Sequence, residues 1–147
     1  MTATLLDLQK SVLPETLAAF AAAGWRAEAV VADVFDWPAG PVEIVVANLF
    51  LHHFDNAHLE TLLRRIADRA RLFVALEPHR AFWPLFCSRF LGIIGCNIVT
   101  RHDAVVSVRA GFSGRELSAL WPADGAWQLT EQPAGLFSHL FVAQRIK

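Results

Sequence analysis

The stretch that most constrains the fold runs from Val42 to Phe54 and has the sequence VEIVVANLFLHHF. Its first half is a nearly continuous apolar run rich in β-branched residues, which indicates a strand buried on both faces of a parallel sheet. The run then becomes polar, with His52 and His53 in its second half. Ligands of open α/β sheets bind at the carboxyl ends of the strands. We therefore predict that Val42 to Asn48 forms a central strand and that Leu49 to Asp55 forms one wall of a site.

Apolar runs and helix-forming segments alternate before and after this strand. The helix that follows it is predicted from Leu59, Leu62, Leu63 and Ile66, which lie at i, i+3, i+4 and i+7. The predicted order is a strand at Thr4 to Leu8, a helix at Pro14 to Ala23, a strand at Arg26 to Ala32, the strand at Val42 to Asn48, a helix from Asp55 or Asn56 to Ala70, and a strand at Leu72 to Leu76. This order predicts a doubly wound, mostly parallel α/β sheet with helices on both faces.

The last part of the chain predicts a different arrangement. The apolar stretch up to Val99 is interpreted as one or two buried helices. Capping-box spacings at Thr100 and at Ser113 predict two further helix starts, and Gly111 ends the first of these helices. Two terminal strands, Trp127 to Glu131 and Leu136 to Ile146, predict a hairpin that forms an antiparallel edge of the sheet.

Composition narrows the class of protein. A length of 147 residues predicts a single domain, and 54% hydrophobic residues argue against disorder. A formal net charge of -1 argues against a nucleic-acid-binding protein. The longest apolar segment, Ala81 to Val99, contains Pro84, Arg89 and two glycines, which argues against a membrane span. The two cysteines lack partners at metal-binding spacing, which predicts no metal site and a reducing, cytoplasmic location.

Acidic and amide side chains follow three of the predicted strands. Asp7 follows the first, Asp33 the second and Asn48 the third. Carboxyl ends of parallel strands lie on one edge of a sheet, so these residues can converge on one ligand. An acid at a strand end can accept both ribose hydroxyls of a nucleoside, and Asp33 with Val34 offers a polar and an apolar contact to a purine. The alternative is that each acid is a helix cap or a turn residue.

Four segments together resemble a known family. The segments LLDLQ, VVADVFDWP, VVANLFLHHF and LFVALEPHR resemble, in this order, the strand motifs of class I, Rossmann-like methyltransferases that use S-adenosylmethionine and act on small molecules. The resemblance implies S-adenosylmethionine as cofactor and a small molecule as substrate. It also implies that Asp7 and Leu8 lie at the cofactor ribose, Asp33 and Val34 at the adenine, and Asn48 and Leu49 at the methionine moiety.

One departure from the family pattern is important. The family begins with a strand and a glycine-rich DxGxGxG turn, and this sequence has no such stretch. The resemblance therefore implies a chain truncated at its amino end, without the strand that the family places between those matched by Thr4 to Leu8 and Val42 to Asn48. The alternative function is an inactive remnant or assembly subunit that forms a homodimer at the vacated sheet position. A nicotinamide-nucleotide enzyme is a weaker alternative, because it too needs a glycine-rich turn.

Several further side chains are candidates for catalysis or substrate binding. His52 or His53 is a candidate general base, and the alternative is a strand-to-helix turn with one ring bonded to the backbone. His79 and Arg80 are candidates for binding a substrate carboxylate, although a surface turn explains them equally well.

Two aromatic residues, Trp83 and Phe86, are candidates for the wall of an apolar substrate pocket. Their helical spacing also fits ordinary core packing.

Overall fold

A computed structural model of the chain describes residues 1–37, 40–81 and 108–146. Contacts divide the chain into two compact units, Met1–Ala39 and Gly40–Lys147, and each is described by itself. The predictions for Trp83, Phe86, the two cysteines, the apolar stretch up to Val99 and the helix start at Thr100 lie outside the described residues.

The first unit is a βαβ motif. Strand β1 spans Thr2–Asp7, helix α1 spans Pro14–Ala22, and strand β2 spans Arg26–Val31. The two strands pair in parallel, from Thr2 opposite Arg26 to Asp7 opposite Val31. Pro14 begins α1 and Gly24, with a φ of 79°, follows its end, as the sequence predicts. None of the described side chains in this unit is buried.

The second unit contains a four-stranded sheet with the strand order β3-β4-β6-β5. Its strands are β3 at Val42–Asn48, β4 at Ala70–Pro78, β5 at Trp127–Ala134 and β6 at Ser138–Arg145. The helices whose bounds lie within the described residues are a 3-10 turn at Leu51–His53, α2 at Asn56–Arg69 and the short α3 at Glu116–Leu120. Strands β3 and β4 are parallel, whereas β6 is antiparallel to both β4 and β5. The prediction of an α/β fold with parallel strands and a carboxyl-terminal antiparallel hairpin is confirmed.

Helix α2 forms where its cap and its apolar stripe predict it. The Asp55 side chain caps the helix by accepting the backbone N–H of His58 at 2.9 Å. The predicted apolar stripe is buried at Leu59, Leu62, Leu63 and Ile66. Within the described ranges, no helix has the length and apolar character that a membrane span requires.

The core of the second unit lies against one face of its sheet. By strand alternation and register, Phe73 and Ala75 of β4 lie beside Phe141 and Ala143 of β6, and all four are fully buried. Trp121, just after α3, stacks on the Phe73 ring at a centroid distance of 5.6 Å. The terminal hairpin is therefore part of the core.

The prediction that β3 is a central strand buried on both faces is wrong. Among the described residues strand β3 pairs with β4 alone. On the sheet face opposite the core, Ile44 is 56% exposed and Val46 is 70% exposed. An apolar, β-branched run indicates that the side chains of a strand pack against apolar groups. It does not indicate how many other strands pair with it.

Two predicted strand ends are also wrong. Strand β4 does not end at Leu76 but continues to Pro78, because Glu77 is buried and hydrogen-bonded inside the unit. Strand β5 continues past Glu131 to Ala134. Pro133 is tolerated there because β5 is an edge strand and needs N–H donors on one side only.

The acid that caps α2 gives a test of the fold by pH. The backbone N–H of His58, and next its imidazole, lower the pKa of Asp55. A carboxylate with a lowered pKa stabilises the folded state above its unfolded pKa of about 3.9, and this stabilisation is lost as the pH falls through the folded pKa. Asp55→Asn keeps a capping oxygen but cannot titrate. We expect wild type to have the higher Tm at pH 6 and this difference to shrink below pH 4; a difference independent of pH would contradict the cap.

Candidate functional site

The site is centred on the carboxyl ends of β3 and β4. Asn48 lies opposite Leu76, and the N–H of Leu49 donates to the Leu76 carbonyl at 2.9 Å. Leu49 has a φ of 51°, a left-handed conformation that side chains larger than glycine seldom adopt. The chain therefore turns sharply after β3, which points the next backbone amides back toward β4.

The Glu77 carboxylate receives these amides. Glu77 is fully buried, and its Oε1 accepts the N–H of Phe50 at 3.0 Å and of Leu51 at 2.9 Å. Its Oε2 accepts a longer bond from the N–H of His52 at 3.4 Å. Successive amides that converge on one anion form a nest, which here is filled by the protein's own side chain. The three bonds satisfy a carboxylate that would be very costly to bury alone.

The same carboxylate orients His52. The Nδ1 of His52 lies 2.8 Å from Oε2, and the side chain is only 6% exposed. Because a carboxylate only accepts hydrogen bonds, Nδ1 carries the proton and Nε2 keeps its lone pair in the neutral ring. Nε2 is the nitrogen that can accept a proton from a ligand. This arrangement matches the positioned base of a catalytic dyad in its chemistry.

His53 is placed differently. It is exposed, its Nδ1 lies 3.0 Å from the carbonyl oxygen of Phe50, and its ring lies 4.1 Å from the ring of His52. A backbone contact of this kind is the turn-forming alternative predicted for one of the two histidines. The structure thus distinguishes the two rings, because His52 has a buried carboxylate as its partner and His53 does not.

The sequence patterns above do not single out Glu77 as a candidate site residue. The signal was present, because Phe73, Ala75 and Glu77 alternate along β4 and the first two lie in the core. An acid that continues a buried face needs compensating donors. Those donors come from a turn more than 20 residues earlier in the chain, and their direction depends on the conformation of Leu49.

A second buried glutamate repeats the pattern on strand β5, on the same face of the sheet. Glu131 of β5 accepts the N–H of Leu117 at 3.0 Å and of Ser118 at 2.7 Å, and it contacts Nε2 of His139 at 2.9 Å. Glu131 and His139 side chains are fully buried. Strand register places His139 directly opposite Glu77. Each glutamate thus fixes a local turn or helix start to the sheet and holds one imidazole.

His79 and Arg80 lie just beyond β4. The His79 ring stacks on the buried His139 ring at a centroid distance of 5.9 Å. The backbone N–H of His79 donates to the Phe137 carbonyl at 2.8 Å. The Arg80 guanidinium pairs with Glu116 at the start of α3. Both residues therefore lie at the same sheet edge as the His52–Glu77 pair.

The acids of the first unit lie at the carboxyl end of its parallel strand pair. Asp7 ends β1, and its carboxylate accepts the N–H of Gln9 at 2.8 Å and the hydroxyl of Ser11. These bonds, that of Ser11 first, lower the pKa of Asp7. Asp33 follows β2 and accepts the N–H of Phe35 at 2.8 Å. Both acids thus stabilise local turns. A turn residue is the alternative role that the sequence analysis gives for each acid.

The neighbouring residues that the resemblance assigns to the cofactor are placed as follows. Leu8 is exposed and Val34 half-exposed beside the two acids of the first unit. Asn48 and Leu49 are exposed at the end of β3 in the second unit. Convergence of both groups on one ligand remains a prediction. In the part of the chain that the structure describes, no three His, Cys, Asp or Glu side chains are grouped to hold a metal ion.

Comparison with solved structures identifies the fold. An O-methyltransferase family protein from Burkholderia thailandensis matches with a TM-score of 0.62 and 18% identity, over 99% of this chain and 44% of that protein. The plantazolicin methyltransferase in complex with S-adenosylhomocysteine matches with a TM-score of 0.62 and 10% identity, over 97% and 66%. An O-methyltransferase from neocarzinostatin biosynthesis, in complex with S-adenosyl-L-homocysteine and 1,4-dihydroxy-2-naphthoic acid, matches with a TM-score of 0.58 and 19% identity, over 99% and 42%.

These matches establish the fold and its extent. The sequence matches no protein-family model and no curated protein. The chain has the Rossmann-like fold of class I methyltransferases, which confirms the fold that the resemblance implies. It spans between about two fifths and two thirds of the length of the solved structures it matches.

The two buried glutamates give a matched test of the site. Glu77→Gln should lower the free energy of unfolding by about 1.5–3 kcal/mol, because charged hydrogen bonds are lost, and Glu131→Gln should cost a similar amount. Only Glu77→Gln should change the His52 ring, because the proton at Nδ1 loses its acceptor. Urea unfolding measures the first effect, and imidazole ¹⁵N chemical shifts measure the second. A wild-type His52 ring that carries its proton on Nε2 would contradict the assigned tautomer.

Proposed function

We propose that this chain takes part in S-adenosylmethionine-dependent methyl transfer to a small molecule, with His52 as the general base and Glu77 as the residue that positions it. The observation that carries the proposal is the His52–Glu77 pair at 2.8 Å, buried at the carboxyl edge of a methyltransferase-like sheet. Ligands of open α/β sheets bind at that edge. The isolated cysteines support a cytoplasmic setting.

The chemistry of the strand-end residues fits the adenosyl part of this cofactor. Each carboxylate oxygen has two acceptor sites, so Asp7 can bind ribose hydroxyls while it keeps its bonds to Gln9 and Ser11. Its lowered pKa keeps it ionised and therefore a good acceptor. Asp33 uses only Oδ1 within the described residues. The 147 residues include no DxGxGxG stretch for the methionine part.

The residues around His52 suit it to proton removal. When bound, S-adenosylmethionine supplies an electrophilic methyl group. His52 Nε2 accepts the proton from a substrate hydroxyl as that oxygen becomes a nucleophile. The negative charge of Glu77 stabilises the resulting imidazolium, and its bonds to Phe50 and Leu51 keep the pair in place. His52 is largely buried, so water competes weakly for Nε2.

The solved structures support a small hydroxylated substrate. One matching enzyme was solved with 1,4-dihydroxy-2-naphthoic acid and another is a mitomycin 7-O-methyltransferase. The bound ligand and the named reaction belong to those two proteins. They motivate the use of a hydroxylated aromatic compound as the probe substrate for this chain.

Two measurements test this function. Isothermal titration of the chain with S-adenosylhomocysteine should give saturable binding that Asp7→Ala weakens. Methyl transfer to 1,4-dihydroxy-2-naphthoic acid should fall by about 10²–10⁴-fold in His52→Gln, because the base is removed. His53→Gln is the matched control and should keep most of the rate. Absence of S-adenosylhomocysteine binding would overturn the proposal. An unchanged rate of methyl transfer in His52→Gln would show that His52 is not the general base.

We propose as a second candidate an assembly subunit that pairs with another copy of itself through β3. Within the described residues β3 has one unpaired edge, and that edge carries no Lys, no Pro and no bulge to protect it. Antiparallel pairing centred on Val45 would place Ile44 opposite Val46 and Glu43 opposite Ala47, so that no like charges meet. A strand that is complementary to itself suits a two-fold dimer.

A charge placed on this edge tests the second candidate. Val46 is 70% exposed, so Val46→Lys should leave the fold intact and disrupt strand pairing. Thr130→Lys adds the same charge to β5, the opposite edge strand, and is the control. Analytical ultracentrifugation should show a dimer for wild type and Thr130→Lys and a monomer for Val46→Lys. A monomeric wild type would exclude self-assembly through β3.

A further inference from the structure

We infer that Arg80 is a prepositioned anion-binding residue, and that the small molecule bound at this sheet edge carries a carboxylate near its methyl-accepting hydroxyl. The first part concerns the geometry of Arg80 alone. The second part rests on the proposed function, because it takes His52 as the base.

The backbone of Arg80 is fixed on the side where β4 ends. Its N–H donates to the Phe112 carbonyl at 2.9 Å, and the N–H of Phe112 donates to the Pro78 carbonyl at 2.9 Å. Gly111 permits this contact, because a Cβ at that position would lie 2.2 Å from the Pro78 oxygen. The segment that holds Arg80 thus approaches β4 more closely than any side chain would allow.

The guanidinium is fixed through one of its nitrogens. Nη2 of Arg80 donates to the Ser113 hydroxyl at 3.3 Å and to Oε1 of Glu116. The other Glu116 oxygen accepts the N–H of Ser113 at 3.2 Å, which holds the carboxylate in turn. Arginine has five N–H donors. Three of them, on Nε and Nη1, have no partner among the described residues, so within that part of the chain they are open to a ligand.

The carboxylate that holds Arg80 is itself anchored to the core. Glu116 begins α3, and the next two amides of that helix, at Leu117 and Ser118, are bound by the buried Glu131. An exposed ion pair between mobile side chains usually contributes little, because ordering both side chains opposes the attraction. Here the backbones on both sides are already fixed. The cost of orienting the guanidinium is therefore met before a ligand arrives, which favours binding.

The position of Arg80 indicates the size of the ligand. Arg80 lies three residues beyond Glu77, whose carboxylate holds His52. Three extended residues span about 10 Å. The arginine side chain can cover part of that distance, so we expect an aromatic acid whose carboxylate lies beside its hydroxyl to contact both residues. Glu116 offsets much of the guanidinium charge, so recognition depends on the three open N–H donors rather than on net charge.

A matched pair of probes tests the inference. Salicylate carries a carboxylate beside its hydroxyl, and salicyl alcohol is its neutral equivalent. In ¹⁵N NMR titrations of the full chain, salicylate should shift the Nε–H resonance of Arg80 saturably, and salicyl alcohol should not. Arg80→Met should weaken salicylate binding at least tenfold, and Arg80→Lys should restore part of it. Arg64→Met, which removes the exposed ion pair with Glu60 on α2, is the control and should leave binding unchanged.

The outcomes separate this inference from the proposed function. Equal binding of both probes, equal salicylate binding in wild type and Arg80→Met, or no saturable shift at Arg80 would each overturn the inference. A matching Tm for the variants and wild type establishes that they are folded. Neither probe titration requires the cofactor, so failure to bind S-adenosylhomocysteine would count against the proposed function and leave the anion-binding role of Arg80 standing.

Discussion

The arrangement of the second unit depends on one buried carboxylate, that of Glu77. Its oxygens receive the backbone amides of Phe50, Leu51 and His52 and the imidazole of His52. A turn that includes Leu49 at a φ of 51° is unfavourable on its own, and residues in such conformations persist only where other interactions hold them. The carboxylate supplies that interaction. Fold and site are therefore joined at this point, since the bonds that fix the turn after β3 also fix the proton on His52.

Glu131 makes the same kind of contacts as Glu77 in the same sheet. It binds consecutive amides at Leu117 and Ser118 and an imidazole, that of His139, as Glu77 does at the other end of the core. Replacing a buried ionic group by apolar residues is often neutral for stability, so stability alone does not explain the retention of two such acids. Each acid instead specifies where a local segment meets the sheet. One orients His52, and the other fixes the helix start from which Glu116 contacts Arg80. Both acids support groups at the carboxyl edge of β3 and β4.

Local patterns in the sequence predicted the elements well, because their causes are local. Helix α2 follows from the Asp55 cap and the apolar spacing, and the terminal hairpin follows from two apolar runs around Gly135. The sequence names His52 as a candidate but does not single out Glu77, because the donors to Glu77 come from a turn distant in the chain. The sequence also does not predict that β3 has a single pairing partner among the described residues. A strand's composition reflects the apolarity of its surroundings, whereas its number of neighbours depends on pairing partners that the strand itself does not encode.

The two units differ in a way that bears on how a nucleoside would bind. The second unit has fully buried side chains on β4, β6 and α3, whereas the described residues of the first unit, which carries Asp7 and Asp33, include no buried side chain. Two strands and one helix bury too little apolar surface to be stable alone in water. A ligand that orders such residues on binding loses affinity to the entropy of ordering them. The His52–Glu77 pair and Arg80, by contrast, stand on a packed sheet. Among the described residues, the elements proposed to position a substrate thus have more buried packing than those proposed to hold a cofactor.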